Sequence, residues 1–550
     1  MSKVSTEAAN ERHTFGRKQS DTPFLIADFR SHRIEVEPTQ WGVAAPSTSE
    51  QFKLRSHAHK PRALRWDHRI SMESATRAGS SLKGALKHLK NARVISLGGG
   101  LPLSDYFPFE SMDLAVPTMR KCDESDRKPN KNISLHTGKH DLVAGLSTYD
   151  LATALNYCQG NGSAQLLRWI TEHVEMVHDP PYTDWQCTMT IGNTSALDMA
   201  LRMFARPGDY ILSEEYTFAT AVETAMPMQV KFLGVKIDEQ GMLPESLREL
   251  LENWDSAAFD GVRKPFLLYT VPTGQNPTGA TQSAKRRSDI YKVAQEHDLF
   301  ILEDDPYYFL QMNPSTAPSE ILPISATSIP GNNLLETIVP SFLSMDVDGR
   351  VMRMDSFSKV ISPGARLGWI TASKQVVERY KNHADVSTQG PSGLSQIALF
   401  KLLDEHWGHT GYFDWLMYIR EEYTKRRDFM IQVCDRYLPR SIISWKPPMA
   451  GMFLWLKVDW SRHPCARTES ITKIEEDIWL ECIEHGSLVA RGSWFYAEAD
   501  KLHDDMFFRL TFAAAPLDKI EEAVLRLGLA LNKSFGLKYK NGMRAASSIC

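Results

Sequence analysis

The chain has 550 residues, 42% hydrophobic and 24% charged, with a formal net charge of −4. These are globular values, and the length suggests more than one domain; so small a charge gives no electrostatic case for nucleic acid or an anionic membrane. No apolar run reaches the ~18 residues of a membrane-spanning helix, and seven cysteines without a C-x-x-C pair argue against zinc or a disulfide framework.

The opening 21 residues lack the apolar stretch of a secretory signal, so a cytoplasmic protein with reduced thiols is expected. Residues 1–60 read as a polar, mobile extension. An amphipathic helix is expected at 74–89. Residues 61–145 are assigned to the N-terminal part of a smaller domain, with a charged surface insertion near 120–145. From 146 to 392, β-rich runs alternate with helical ones: 187–192, 209–214, 230–237, 265–271, 299–304, 351–357 and 367–372. Apolar strands alternating with helices predict an α/β fold whose mostly parallel sheet is covered on both faces. Ligands of such sheets bind beyond the carboxyl ends of the strands. A long helix at 393–437 then leads into a small α+β domain that runs to residue 550.

The most informative string is Asp355-Ser356-Phe357-Ser358-Lys359, followed by a Gly/Pro turn and Arg366. It sets a lysine beside two hydroxyls and a guanidinium. Hydroxyls and a planar guanidinium grip a phosphate dianion, and nearby positive charge keeps an amine neutral and reactive. Four further segments stand at strand ends. They are Glu303-Asp304-Asp305-Pro306-Tyr307-Tyr308, Val271 to Gly279 with Asn276, Gly192-Asn193-Thr194, and Glu215 to Phe218. Arg509 lies in the apolar run FFRLTFA, where an arginine costs free energy unless paired.

These motifs, in this order from about Ser74 to Leu531, resemble the fold-type I (aspartate-aminotransferase-like) enzymes that use pyridoxal 5'-phosphate. The resemblance is nearest to the fungal aromatic-amino-acid, 2-aminoadipate and kynurenine aminotransferases. It implies that Lys359 carries the cofactor covalently and relays the substrate proton. It implies that Asp305 meets the pyridine nitrogen, with Tyr308 and Asn276 at the ring oxygen. Ser356, Ser358, Arg366, Asn193 and Thr194 then surround the phosphate, Phe218 stacks on the ring, and Arg509 takes the substrate carboxylate. Gly100, in Gly98-Gly99-Gly100-Leu101-Pro102, belongs to a segment expected to close over the substrate, and Lys83 falls near the substrate side chain. Tyr157 is expected to reach the cofactor phosphate of a second subunit, which implies a homodimer. No metal is expected.

The implied activity is transamination of aromatic L-amino acids (Phe, Tyr, Trp, with 2-aminoadipate, kynurenine or Met as further substrates) to 2-oxoglutarate or another 2-oxo acid. A β-eliminating lyase on the same scaffold is the main alternative. A transcription regulator built on this fold is a remote one, because residues 1–60 hold no concentrated basic helix.

Overall fold

The computed structural model describes Arg33 and residues 42–538, except 56, 86–87, 89–92, 96, 119–131, 260, 315–333, 499–500 and 502. The chain divides into two units, residues 1–39 and 40–550. Apart from Arg33 the first unit lies outside the described residues, and every element named below belongs to the second.

The principal elements are, in chain order, β1 (Ser111–Pro117), β2 (Asn132–Gly138), α1 (Ala164–Val177), β3 (Trp185–Thr190), α2 (Asn193–Phe204), β4 (Tyr210–Glu214), α3 (Ala219–Ala225), β5 (Lys231–Val235), β6 (Leu267–Thr270), α4 (Ala284–Glu296), β7 (Phe300–Asp304), β8 (Val351–Ser356), β9 (Gly368–Ser373), α5 (Lys374–Ala384), α6 (Gly393–Phe400), α7 (Gly408–Tyr437), β10 (Ile443–Trp445), β11 (Phe453–Val458), α8 (Ile471–Glu484), β12 (Ala490–Arg491), β13 (Met506–Thr511) and α9 (Leu517–Ser534).

Seven strands form one sheet in the order β3-β9-β8-β7-β6-β4-β5. Neighbours from β8 to β5 run parallel, whereas β9 is antiparallel to both β8 and β3. Every residue of β3, β6, β7, β8 and β9 is buried. That is why these strands read as continuous apolar runs rather than alternating ones. A four-stranded antiparallel sheet, β10-β11-β13-β12, carries a second core with α8 and α9. Helix α7 joins the two cores, with Leu416 in the first and Val433 in the second.

The N-terminal half departs from expectation in four places. Residues 42–55 are not a mobile extension: Phe52 is buried, Ser49 exchanges hydrogen bonds with the Cys187 backbone, and Glu175 accepts from the amides of Leu54 and Arg55. Residues 61–70 pack on the large sheet instead of a smaller domain. Trp66 meets Phe300 edge to face, and the Ala63 amide donates to Asp184. The helix expected at 74–89 is broken into Met72–Thr76 and Ser81–Ala85. Gly79, at φ 78° between them, cannot continue a helix. The insertion expected at 120–145 is in part a strand, because β2 pairs along its whole length with β1; residues 119–131 lie outside the described residues. The segments 42–55 and 61–70 are held largely by hydrogen bonds to distant parts of the chain, which leave no periodic apolar signal.

Candidate active site

At one edge of the large sheet the ends of β6, β7 and β8 meet the start of α2. After β8 the chain makes a tight turn in which the amides of Val360, Ile361 and Ser362 all donate to Phe357 O. Lys359 sits in that turn. Ser356 Oγ donates to Ser358 Oγ at 2.8 Å, and Arg366 Nη1 reaches Ser358 Oγ at 3.4 Å. Arg366 also donates to Pro363 O and Ile191 O, which holds it over the start of α2. Gly192 lies there at φ +80°, and a Cβ on it would stand 2.5 Å from Arg366 Nη2. Only glycine allows both the turn and the close approach.

Arg509 comes from β13. Its Nη1 donates to Asn276 Oδ1 at 2.6 Å. Its guanidinium stands 4.2 Å from the Phe453 ring centre and 4.6 Å from that of Phe495. Burial, then the charges of Arg366 and Arg509, hold the Lys359 amine below its ordinary value. Among the described residues neither Arg366 nor Arg509 forms an ion pair; their partners are hydroxyl, carbonyl and amide oxygens. Three cations therefore converge with no carboxylate to neutralise them.

The acid at this edge is Asp304. It accepts from Asn193 Nδ2 and Tyr269 OH, both at 2.8 Å, and burial raises its pKa. Tyr307 is buried next to it, edge-on to Phe453 at 5.9 Å, and feels the charge of both Asp304 and Arg509. The structure does not bring Asp305 and Tyr308 here. Strand alternation turns Glu303 and Asp305 to the other face of β7. There Arg353 pairs with Glu303 at 2.9 Å, Asp355 at 2.8 Å and Asp305 at 3.3 Å, all fully enclosed. Thr273 Oγ1 also donates to Asp305, and the Tyr308 ring covers Arg353 at 4.5 Å. Burial outweighs the two nearby arginines and pushes Asp305 up to about 7.

Asn193 spends its side-chain N–H groups on Asp304 and Met354 O, so only its place at the N-terminus of α2 remains for an anion. Thr194 is exposed in the first turn of α2. Phe218 is partly buried at the cap of α3 and packs on the large core. Tyr157 is 57% exposed. Gly100 is exposed, with open space where a Cβ would stand. Lys83 pairs with Asp385 at 3.4 Å and donates to Gln389 O, so its charge is already engaged. Sequence pattern alone did not single out Asp304, Tyr307, Phe453 or Phe495 for the site. Asp304 and Tyr307 keep the same three-residue spacing as Asp305 and Tyr308, one place earlier.

A seven-stranded sheet of this order, with a strand-end lysine among unpaired guanidiniums, defines an enzyme of the fold-type I architecture. Residues 144–527 match the family model for aminotransferase class I and II, and the chain belongs to that family. It is similar to an aromatic amino acid aminotransferase of Schizosaccharomyces pombe, 43% identical over 487 residues that cover 87% of this chain and 99% of the relative. An L-tyrosine:2-oxoglutarate aminotransferase of Tapinella panuoides is 36% identical over 74% of this chain and 76% of its own length. The crystal structure of aminotransferase Aro8 from Candida albicans superposes with a TM-score of 0.80 at 41% identity, over 87% of this chain and all of the other.

Proposed function

We propose that this protein transfers the amino group of aromatic L-amino acids to 2-oxoglutarate, using pyridoxal 5'-phosphate. The carrying observation is the convergence of Lys359, Arg366 and Arg509 without a neutralising carboxylate. Such a site is electrostatically complete only when it holds a phosphate and a carboxylate.

The residues suit the cofactor. Arg366, Ser356, Ser358 and the first turn of α2 would hold its phosphate, and Lys359 its aldehyde carbon. Asp304, a buried acid that accepts hydrogen bonds from the neutral Asn193 and Tyr269, would gain its charge against a protonated ring nitrogen. Asn276 and Tyr307 stand on the side of Arg509, where the ring oxygen and substrate would lie. These assignments move two expected roles from Asp305 and Tyr308 to Asp304 and Tyr307. When bound, the cofactor draws electrons from the substrate α-carbon. Arg509 orients the substrate through a bidentate grip on its carboxylate, with Phe453 and Phe495 keeping the guanidinium planar to it. Lys359 would take the α-proton as general base and, once protonated, act as the general acid that hands it to the former aldehyde carbon rather than back to the α-carbon. The relatives named for aromatic amino acids and for tyrosine with 2-oxoglutarate support the substrate class.

The proposal also makes the protein a homodimer. Tyr157 is exposed, and Ile95, Leu97, Tyr106, Val143 and Leu146 are each at least 75% exposed. Large apolar side chains left in water at 95–146 suit burial against a protein partner, as the family resemblance implies. The test is an absorbance spectrum before and after L-phenylalanine, then 2-oxoglutarate. A cofactor band that bleaches and recovers, and that Lys359→Ala lacks, is expected. A protein that takes up no cofactor sinks the proposal. A band unmoved by phenylalanine sinks the substrate class.

A further inference from the structure

The turn that carries Lys359 is anchored from outside the sheet. Val360, the next residue in the chain, is buried, and its carbonyl accepts Trp415 Nε1 at 2.6 Å. Trp415 lies on α7. Its indole is stacked on Trp407, with ring centres 5.4 Å apart and 25° between planes, and is tilted against Tyr418 at 5.5 Å. Residues eight apart on one straight helix lie ~12 Å apart along its axis, so the Trp407 stack requires a bend. The chain supplies one: residues 401–407 form a π-helical run, and Gly408 follows at φ 61°. On its far half α7 holds the second core, where Arg426 Nε donates to Phe512 O, three residues beyond Arg509. One helix thus contacts both the turn of Lys359 and the residue that follows the strand of Arg509.

We propose that Trp415 is a positioning residue for Lys359: its N–H fixes the Val360 carbonyl, and with it the direction of the lysine side chain, while Trp407 holds the indole in place. The inference rests on the role proposed for Lys359, and its test separates the two.

Trp415→Phe keeps a ring and removes the donor. Two pH midpoints are compared with wild type: that of the lysine-linked cofactor band in the holoenzyme, and that of Lys359 acylation, read by mass spectrometry, in the full chain freed of cofactor. Both midpoints are expected to move, with kcat down about tenfold, as one lost hydrogen bond allows, and KM for phenylalanine held within about twofold. Unchanged midpoints and kcat in a folded Trp415→Phe protein overturn the proposal. Should that variant not fold, Trp407→Leu keeps the donor and loses only the stack; a smaller shift of the acylation midpoint supports the strut, and a wild-type midpoint overturns it. A wild-type protein without a lysine-linked band removes the cofactor reading, while the acylation midpoint still reports on the strut.

Discussion

Asp304 and Asp305 are neighbours at the end of β7, yet their carboxyls face different surroundings. Asp304 meets Asn193 and Tyr269, and Asp305 meets Arg353 and Thr273. Replacing each separates chemistry from stability. Asp304→Asn, which removes the charge but keeps an oxygen acceptor for Asn193 and Tyr269, is expected to lower kcat at least about 100-fold in a protein that melts near wild type. Asp305→Ala leaves Arg353 short of a partner in a buried cluster and is expected to cost about 3 kcal/mol of stability, with near-normal kcat per folded molecule. Denaturant unfolding and steady-state kinetics on both variants decide it. The depressed amine of Lys359 gives a second expectation. A nearby guanidinium disfavours its protonated form, so removing the charge in Arg366→Gln raises the pH at which Lys359 becomes nucleophilic. The pH dependence of Lys359 acylation should shift upward. No shift, or a downward one, would mean that Arg366 does not act on the lysine.

At the scale of elements, the segment 42–60 behaves as an arm clipped to α1 and β3. Glu175 is its main clip, accepting from Leu54 N, Arg55 N and His57 Nε2. Gln159 and Asn161 donate in turn to Ala44 O and Ser47 O, so the arm braces the stretch that follows Tyr157. Glu175→Ala is expected to destabilise the protein by about 3 kcal/mol, since hydrogen bonds to a charged group exceed neutral ones. It should also open residues 42–60 to limited proteolysis, and an arm that stays protected in this variant would show that the clip lies elsewhere. The sequence does not display this arm, because apart from Phe52 it is held mainly by backbone amides, carbonyls and polar side chains, which leave no apolar periodicity. Five of the seven large-sheet strands are legible for the opposite reason: every residue of them is buried, so they read as largely apolar runs.

For the whole molecule, pH acts through buried acids. Glu214, at the end of β4, is enclosed and accepts from Thr270 Oγ1 at 2.6 Å. Burial raises its pKa from 4.5 to about 7. A raised carboxyl contributes stability in full below its unfolded pKa and loses it as pH rises through the folded one. Glu214→Gln removes that loss, so its stability relative to wild type should improve by about 3 kcal/mol between pH 4.5 and 7.5. Melting across that range measures it, and a difference independent of pH would exclude Glu214 as the source. A dimer with shared sites makes a separate expectation. Lys359→Ala and Tyr157→Ala, each inactive alone, should regain activity when dissociated and reassembled together. Mixed dimers then hold one site with both residues intact.

The sequence by itself determined the alternation of the large sheet, the order of the motifs at its strand ends, and the lysine, arginines and asparagine of the site. These rest on local patterns: apolar runs, turn residues, and charged groups in apolar strands. The tertiary structure alone decided which acid of Glu303-Asp304-Asp305 faces Asn193 and the Lys359 edge, because alternation separates neighbours without naming the face that carries the site. It also decided that Arg509 meets Asn276, 233 residues away in sequence, and that Trp415 reaches the turn of Lys359. Such contacts depend on how α7 and the second sheet pack against the first, and no local pattern records that packing.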